Sequence, residues 1–448
     1  MILIKNANIV NEGKIFTSDI LIKNKRIEKI DSTISLNSAN YEIIDASGLY
    51  LLPGLIDDQV HFRDPGFPQK GTIYSESMAA IAGGVTSFMD MPNTNPSTLT
   101  LQNLEDKFSA ASKQSFANYS FFMGVSKHNL NEALKVDNEK VCGVSDDGLY
   151  FGDEEGIMAN HPEFLEQLFS RSESLIALHS EDDSIIKFNE EKYKQIYGEN
   201  IPIMYHANIR SDEACYVATK RILEIAQKHQ TRLHVLHLSS GKEVPLFNSD
   251  KPISEKRITV EACTHHLFFN EKDYDRLGAK IKWNPSIKTE SDRIALIDGL
   301  NNNTIDIIAT DHAPHTIIDK QGNYFNAKSG APLVQHSLLA LLELYHKKEL
   351  TLQKIVEKTS HNVAEIYKLI DRGYLRESYF ADLVLVDLNS ENIFHQHQNL
   401  YKVSWSPFDG YQFKSKVIKT IVNGEVVYNN GQIISQPNGE RLIFQKIR

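Results

Sequence analysis

The fold is decided by the stretch LPGLIDDQVHFRDPG, residues 52–66. A short apolar run, typical of a strand, is followed by His61 and Arg63 in a loop that contains proline and glycine. Functional residues are often found in such loops at the ends of scaffold strands. On an extended strand, the side chains of Gln59 and His61 leave the same face because they are two positions apart. Any ligand that His61 binds is therefore expected to lie within reach of Gln59.

Beyond this stretch, strand-like and helix-like patterns alternate along the chain. Helical patterns such as 212–228 and 335–346 intervene between seven further apolar strands, which are 85–90, 119–123, 141–144, 175–179, 233–237, 258–261 and 305–311. With the opening strand this makes eight βα units, which predict an α/β fold, a (β/α)₈ TIM-like barrel. A doubly wound open sheet is the alternative, but no glycine-rich phosphate turn follows the first strand.

The two ends of the chain share a different pattern of short β-rich segments separated by turns. Residues 1–50 contain several such segments, and the pattern returns at 381–387 and 417–428. Neither end has enough strands to close a core alone. We therefore predict a small β-sandwich domain composed of residues 1–53 and 375–448, with the barrel formed by residues 54–374.

Composition narrows the class of protein. The chain has 448 residues, too many for one ordinary core, and a formal net charge of −10 from 58 acidic and 48 basic residues. This balance predicts no nucleic-acid partner and no anionic membrane partner, although it is compatible with a local basic pocket. Three widely spaced cysteines and the lack of a secretory signal or a long apolar span predict a cytoplasmic protein.

The residues whose side chains can bind a metal ion or take part in catalysis occupy one kind of position. They lie at or just past the C-terminal ends of different predicted strands, where barrel active sites are built: His61, Asn93, Asp146, Asp147, His179, His237 and Asp311. Taken alone, His179 is typical of a structural histidine, and Asp311 is typical of a helix cap. As a set, imidazoles and carboxylates on one rim indicate a site for zinc or a similar ion.

Three further histidines are predicted to lie outside the metal set. His234 is one strand step off the register of His237, so we expect it to point away and to be structural. His265 and His266 stand together at a strand end. The pair offers nitrogen donors for a metal ion, but a substrate or packing role is the better prediction.

Several motifs together resemble the dihydroorotase family of the amidohydrolase superfamily. They are QVHFRDPG at 59–66, MPNT at 91–94, LHSED at 178–182, HVLHLS at 234–239, WNP at 283–285 and ATDHAPH at 309–315. The resemblance covers nearly the whole chain, since YFADLV at 379–384 and VNG at 422–424 look like the terminal β domain of the superfamily. The motifs FRDPG and DHAPH are specific to this branch.

The resemblance implies a small-molecule substrate, a reaction and a set of residue roles. The family hydrolyses the ring of (S)-dihydroorotate reversibly to N-carbamoyl-L-aspartate, the third step of pyrimidine synthesis toward UMP, with one or two zinc ions at the barrel mouth. Matching ligand positions are His61, His179, His237 and Asp311, and Asp311 would also carry the proton to the leaving ring nitrogen. Arg63 would clamp the substrate carboxylate, and the other substrate-contacting positions are Asn93, Asn284 and His315.

The chain departs from the family pattern at two positions. The first strand of the family usually carries His-x-His, and here Gln59 replaces the first histidine. Because a neutral amide is a weak zinc ligand, we expect one firmly bound Zn²⁺ and a weakened or vacant second position. The family's bridging ligand is often a carboxylated lysine and sometimes an aspartate. Here Asp147 fits the aspartate version best, with Asp146 as the alternative.

Three functional hypotheses follow. The leading one is an active dihydroorotase with one firmly bound metal ion. The second is a catalytically impaired dihydroorotase-like protein that serves as an assembly partner, although such a protein has no physical need for Arg63. The third is another cyclic-amide hydrolase, such as a dihydropyrimidinase or an allantoinase, whose substrates lack the ring carboxylate. We also expect the protein to be a homo-oligomer.

Overall fold

The N-terminal region forms a set of adjacent strands. The structure of the protein is a computed structural model that describes residues 1–36, 41–149 and 158–446. The first strands are β1 (Ile2–Asn11), β2 (Lys14–Lys23), β3 (Arg26–Asp31), β4 (Glu42–Asp45) and β5 (Tyr50–Pro53). Glu12 and Gly13 join β1 to β2 with φ angles of 48° and 75°, as a tight two-residue hairpin turn requires.

The middle of the chain supplies nine strands that lie parallel to their neighbours. They are β6 (Leu55–Val60), β7 (Val85–Asp90), β8 (Asn118–Phe121), β9 (Met123–Gly124), β10 (Val144–Ser145), β11 (Ile176–Leu178), β12 (Leu233–Val235), β13 (Ile258–Cys263) and β14 (Ile307–Ala309). Hydrogen bonds link them in two sheets, β6-β7-β8 and β9 through β14. All side chains of β6, β7, β11 and β12 are buried, as expected for strands covered on both faces.

The two parallel sheets close into one barrel. Strands β8 and β9 are consecutive and share one strand position, with Phe122 between them donating its backbone N–H to the Asp90 carbonyl at 3.0 Å. At the other seam, the His61 backbone N–H donates to the His312 carbonyl at 2.7 Å. The barrel thus has eight strand positions, which confirms the predicted (β/α)₈ fold.

Helices cover the outside of the barrel and complete its core. They are α1 (Ile73–Ala82), α2 (Leu101–Gln114), α3 (Leu130–Ala133), α4 (Pro162–Arg171), α5 (Asp183–Tyr197), α6 (His206–Ile209), α7 (Asp212–His229), α8 (Thr264–Phe268), α9 (Tyr274–Leu277), α10 (Glu290–Asn301), α11 (Ser337–His346), α12 (Leu352–Val356) and α13 (Asn362–Tyr367). Helix α7 is typical: the Ser211 hydroxyl caps it by accepting the Ala214 N–H, and Ala218 and Ile222 are buried on one face. None of the described helices combines the length and apolar character that a membrane crossing needs.

The C-terminal strands return to the N-terminal sheet. They are β15 (Leu383–Asp387), β16 (Asn392–Ile393), β17 (Gln412–Phe413), β18 (Lys416–Val422), β19 (Glu425–Asn429) and β20 (Gln432–Ile433). One nine-stranded sheet runs in the order β20-β19-β18-β15-β5-β1-β2-β3, with β4 paired to β1. Strand β5 of the N-terminal region pairs antiparallel with β15 of the C-terminal region, with Leu51 opposite Leu385. The two chain ends therefore build one β-rich unit, while the domain boundaries at 53/54 and 374/375 stay a prediction.

Candidate metal centre

The five residues predicted as metal ligands meet at one end of the barrel. Each follows the C-terminal end of a different strand by one or two residues, and each is buried. In chain order they are His61, Asp147, His179, His237 and Asp311. Because the C-terminal ends of parallel barrel strands lie on one face, their side chains converge. His237 and Asp311 reach these positions with φ angles of 38° and 45°, a left-handed backbone that is uncommon for residues other than glycine.

The first set of donors consists of His61, Asp147 and Asp311, named here the His61 group. The Nε2 atom of His61 lies 3.2 Å from Asp147 Oδ2 and 3.1 Å from Asp311 Oδ1. One donor atom from each residue lies within 4.8 Å of the other two. This spacing and these donor types suit a divalent cation.

The second set consists of Asp147, His179 and His237, named here the two-histidine group. His179 Nδ1 lies 2.9 Å from His237 Nε2, and Asp147 Oδ1 lies 3.8 Å and 3.9 Å from these two nitrogens. Asp147 thus turns one oxygen toward each group. It is the carboxylate that the two groups share.

Asp146 takes a different position from its neighbour. Its Oδ1 accepts the backbone N–H of His179 at 3.1 Å, and its Oδ2 accepts that of Met158 at 3.1 Å. Both oxygens therefore serve the backbone. Of the two candidates for a bridging carboxylate, the geometry favours Asp147.

Electrostatics at both groups favours a cation. Burial lowers the pKa of His61, but hydrogen bonds to Asp147 and Asp311 outweigh burial and raise this pKa to about 10. Burial also lowers the pKa of His237, yet Asp147 raises it overall to about 9. In addition, two imidazole nitrogens 2.9 Å apart cannot both direct lone pairs at each other without a proton or cation between them. The donor set therefore fits zinc or a similar borderline ion.

A carboxylate supports His179 from behind, and sequence reasoning missed it. His179 Nε2 lies 2.7 Å from Glu181 Oε2, and Glu181 is in turn held by the guanidinium of Arg210. A proton on Nε2 that is donated to Glu181 leaves Nδ1 with a lone pair for a metal ion. Glu181 lies within the motif LHSED at 178–182, so its position two residues after a predicted ligand was the available signal.

Asn93 contacts the imidazole ring of His61, one of the predicted metal ligands. Its Oδ1 lies 2.7 Å from His61 Nδ1, which therefore carries the proton and leaves Nε2 for a cation. Gly148 makes room for this amide: it has a φ of 72°, and a Cβ atom there would lie 2.0 Å from Asn93 Nδ2. Asn93 thus orients a predicted ligand, in addition to the substrate contact expected from the sequence.

A cavity of about 350 Å³ opens beside the His61 group. All four residues predicted to contact substrate line it, together with three of the predicted metal ligands: Arg63, Asn93, Asn284, His315, His61, Asp147 and Asp311. The Asn284 Oδ1 atom is buried and has no hydrogen-bond partner among the described residues. An unpaired buried acceptor of this kind is expected where a ligand donates a hydrogen bond.

Arg63 presents a buried positive charge to this cavity. Its φ is 66°, its Nε donates to the Pro314 carbonyl at 3.4 Å, and its Nη2 lies 3.3 Å from His315 Nε2. Among the described residues, no carboxylate forms an ion pair with this guanidinium. Because a buried guanidinium requires a counter-charge, the cavity suits a ligand that carries a carboxylate.

Two lysines at the cavity were not predicted. Lys70 and Lys328 line it, and neither forms an ion pair within the part of the chain that the structure describes. Burial, followed by the charge of Arg63, lowers the pKa of Lys70. No sequence pattern marked these residues, since partly exposed lysines are common on any surface.

Gln59 lies beside Asp147 and not among the donor atoms of either group. Its Nε2 donates to Asp147 Oδ2 at 2.9 Å, and the Cys263 thiol donates to its Oε1 at 3.3 Å. The position at which the resemblance predicted a histidine ligand is thus filled by a hydrogen-bonded amide.

The remaining histidines lie outside both groups. His234 Nδ1 lies 2.8 Å from Thr259 Oγ1, and its Nε2 lies 3.2 Å from Glu261 Oε2. The ring of His265 stacks on Trp283 at 4.1 Å, while His266 Nε2 lies 3.1 Å from the Pro285 carbonyl. Donor atoms of His234 also lie within 4.8 Å of those of Asp58 and Glu261, and donor atoms of His265 and His266 lie within 4.8 Å of the Cys263 sulfur. The structural and packing roles of these three histidines therefore stay predictions.

Comparison with known proteins places the chain in a family. The amidohydrolase family matches residues 50–427, which include both metal-ligand groups. The chain belongs to the amidohydrolase family. This amidohydrolase is 31% identical over 441 residues to a dihydroorotase from Methanosphaera stadtmanae, with 98% of this chain and 97% of that protein covered. It is 33% identical over 443 residues to a dihydroorotase from Streptococcus pyogenes, with 96% and 100% covered.

Solved structures of related enzymes share the fold of this amidohydrolase. An L-hydantoinase (dihydropyrimidinase) from Arthrobacter aurescens superposes with a TM-score of 0.90 at 25% identity, covering 99% of each chain. A D-hydantoinase superposes with a TM-score of 0.87 at 21% identity, covering 99% of this chain and 100% of that chain. The likeness extends over the barrel and the terminal sheet alike.

Proposed function

We propose that this amidohydrolase is a zinc-dependent dihydroorotase, which hydrolyses (S)-dihydroorotate reversibly to N-carbamoyl-L-aspartate in pyrimidine biosynthesis. The observation that carries the proposal is the Arg63 guanidinium, which is buried at the cavity without a carboxylate partner among the described residues. Dihydroorotate has a ring carboxylate that would supply the missing counter-charge. The relatives named dihydroorotase support the same substrate.

Zinc is proposed to bind most firmly at the two-histidine group. That group offers two imidazole nitrogens and Asp147, whereas the His61 group offers one imidazole and two carboxylates. Imidazole suits Zn²⁺ well, and the Glu181 carboxylate behind His179 strengthens this ligand further. A bound zinc ion would supply Lewis acidity and would lower the pKa of water to about 7.

The cavity residues have distinct proposed roles. Asp311 would accept a proton from the water that attacks the ring carbonyl and would return it to the leaving ring nitrogen. One carboxylate oxygen of Asp311 lies 3.1 Å from His61 Nε2, and this contact holds that oxygen in place. Arg63 would hold the ring carboxylate through its planar fork, with His315 beside it, while Asn284 would accept a hydrogen bond from a ring N–H.

One preparation tests the proposal. Zinc per chain is measured by elemental analysis, and turnover is measured separately with dihydroorotate, dihydrouracil and hydantoin. We expect bound zinc together with ring opening of dihydroorotate. Turnover of dihydrouracil or hydantoin alone would favour a hydantoinase-like activity, in line with the structural neighbours, and a zinc-free, inert protein would favour a non-catalytic assembly partner.

Arg63→Lys tests the carboxylate clamp. The substitution keeps the charge but replaces a planar fork with a point charge. We expect KM for dihydroorotate to rise by about tenfold to a hundredfold, the effect of losing a charge-assisted hydrogen bond, while zinc content stays unchanged. Steady-state kinetics and elemental analysis of the same sample check this. An equal loss of zinc would contradict the clamp role.

Lys328→Gln tests whether cationic residues at the cavity attract the anionic substrate. We expect kcat/KM to fall roughly two- to fivefold at low ionic strength, because a positive charge at an opening raises the rate of encounter. The difference should vanish near 1 M salt, where the Debye length is about 3 Å. Lys14→Gln, at an exposed position in β2 away from the cavity, is the matched control and should show neither effect.

The assembly state and location of the protein are also proposals. We propose a homo-oligomer whose contact covers Phe188 and Ile196 on helix α5, which are 72% and 61% exposed. Light scattering of the purified protein tests this. The cysteines Cys142, Cys215 and Cys263 are all buried and free, which supports a reducing compartment such as the cytoplasm.

A further inference from the structure

The amide of Gln59 is fixed at both ends by side chains from distant parts of the barrel. Gln59 is fully buried at the end of β6, Asp147 follows β10, and Cys263 ends β13. The amide nitrogen lies 2.9 Å from Asp147 Oδ2, and the amide oxygen lies 3.3 Å from the Cys263 sulfur. Gln59 therefore links the shared carboxylate to a thiol on another strand.

The chemistry of the partners allows only one orientation of this amide. The Asp147 carboxylate accepts hydrogen bonds, so the NH₂ side of Gln59 must face it. The amide oxygen then faces the Cys263 sulfur at 3.3 Å, closer than the other acceptor of the thiol, Glu261 Oε1 at 3.7 Å, so the thiol donates to Gln59. Burial, together with the nearby carboxylate of Glu261, raises the pKa of Cys263 well above its usual value, so the thiol keeps its proton.

The Gln59 amide also restricts the orientation of the Asp147 carboxylate. Asp147 Oδ2 already faces His61 Nε2 at 3.2 Å, and the Gln59 hydrogen bond takes a second direction at the same oxygen. Oδ1 remains directed at the two-histidine group. The carboxylate is thus held in the orientation that both groups require.

We propose that Gln59 and Cys263 form an amide–thiol pair that positions Asp147, in place of the imidazole ligand that Gln59 replaces. Gln59 and Cys263 are positioning residues in this arrangement and do not ligate the cation. The His61 group keeps three protein donors, and zinc binding depends on the hydrogen bond to Asp147. This inference rests on the proposed zinc dependence of the enzyme.

Cys263→Ala and Cys263→Ser form a matched pair of tests. Alanine removes the donor to Gln59 Oε1 and frees the amide to rotate, whereas serine keeps a donor of similar size. In competition with a chelator, we expect zinc affinity to fall by about tenfold to a hundredfold in Cys263→Ala, the range seen for lost outer partners of metal ligands. Cys263→Ser should retain most of the affinity. Equal losses in both variants, or no loss in either, would overturn the proposal.

Substitutions of Gln59 give an independent readout. Gln59→His should add a nitrogen donor to the His61 group and raise the zinc retained under mild chelation from about one to about two ions per chain. Gln59→Leu, which cannot hold Asp147, should match Cys263→Ala in its zinc loss. Circular dichroism identifies variants that fail to fold, and the visible absorption spectrum of Co²⁺-loaded protein reports the ligand geometry. An unchanged spectrum and zinc affinity in Gln59→Leu would overturn the proposal.

Failure of this inference is distinguishable from failure of the proposed function. If zinc affinity follows the expected pattern but the native protein does not open dihydroorotate, the amide–thiol pair stands and the substrate assignment fails. If the native protein turns over dihydroorotate but Cys263→Ala binds zinc normally, the function stands and the pair is overturned.

Discussion

We expect Asp311→Asn to lower kcat for dihydroorotate by about a thousandfold, within the range typical of losing a general acid–base residue. Asparagine has nearly the same shape as aspartate and keeps one side-chain oxygen. That oxygen can still face His61 Nε2, which lies 3.1 Å from Asp311 Oδ1 in the native protein. It cannot carry a proton between water and the ring nitrogen. Steady-state kinetics in both directions measure the loss, because one residue would serve hydrolysis and ring closure alike.

Zinc content separates this chemical role from a purely structural one. The two-histidine group does not include Asp311, so we expect Asp311→Asn to keep its most firmly bound zinc. A variant that retains zinc and loses turnover supports proton transfer by Asp311. A kcat within tenfold of the native value would exclude Asp311 as the proton carrier.

Asp147→Ala is expected to abolish both zinc binding and turnover. Asp147 is the one residue common to the two donor groups, so its removal leaves two donors in each. It also leaves the Gln59 amide without its acceptor. Elemental analysis and the dihydroorotate assay measure the two losses in one preparation.

The control for Asp147→Ala is Asp106→Ala, an exposed substitution on helix α2 that should leave both quantities unchanged. Thermal unfolding of the variants shows whether the fold survives. If Asp147→Ala retains native zinc content, the shared carboxylate does not hold the metal ion and the proposed centre is wrong.

The strands were predictable wherever apolar residues run without interruption. The pattern at 85–90 predicts β7 with the observed bounds Val85–Asp90. By contrast, the pattern at 119–123 is divided at Phe122 into β8 and β9. The predicted strand 141–144 is shifted, since β10 is Val144–Ser145 and the backbone N–H of Cys142 bonds to the Ser120 hydroxyl. Hydrophobic patterns do not reveal which backbone groups find a side-chain partner.

The site was predictable in its positions but not in its connections. Strand ends and family motifs identify the five residues that the structure brings together. They rank Asp147 above Asp146 by its fit to the family motif but do not decide between the two, because adjacent carboxylates after one strand have nearly the same sequence context. The distinction comes from the backbone N–H groups of His179 and Met158, which occupy Asp146.

Contacts between distant residues were outside the reach of sequence reasoning. Cys263 is 204 positions from Gln59, and Arg210 is 29 positions from Glu181. No spacing rule links such pairs, since their proximity arises only when the barrel closes. For the same reason the sequence predicted a weak ligand at Gln59 without predicting its hydrogen bonds.

The pairing of β5 with β15 affects how the chain folds during its synthesis. Strand β5 leads directly into the first barrel strand, but its antiparallel neighbour β15 lies beyond the whole barrel in sequence. During translation the ribosome therefore completes every barrel strand before β5 gains that neighbour. Until then an apolar strand edge stays open beside the nascent barrel, and an unpaired edge of this kind is a place where unfinished chains can associate.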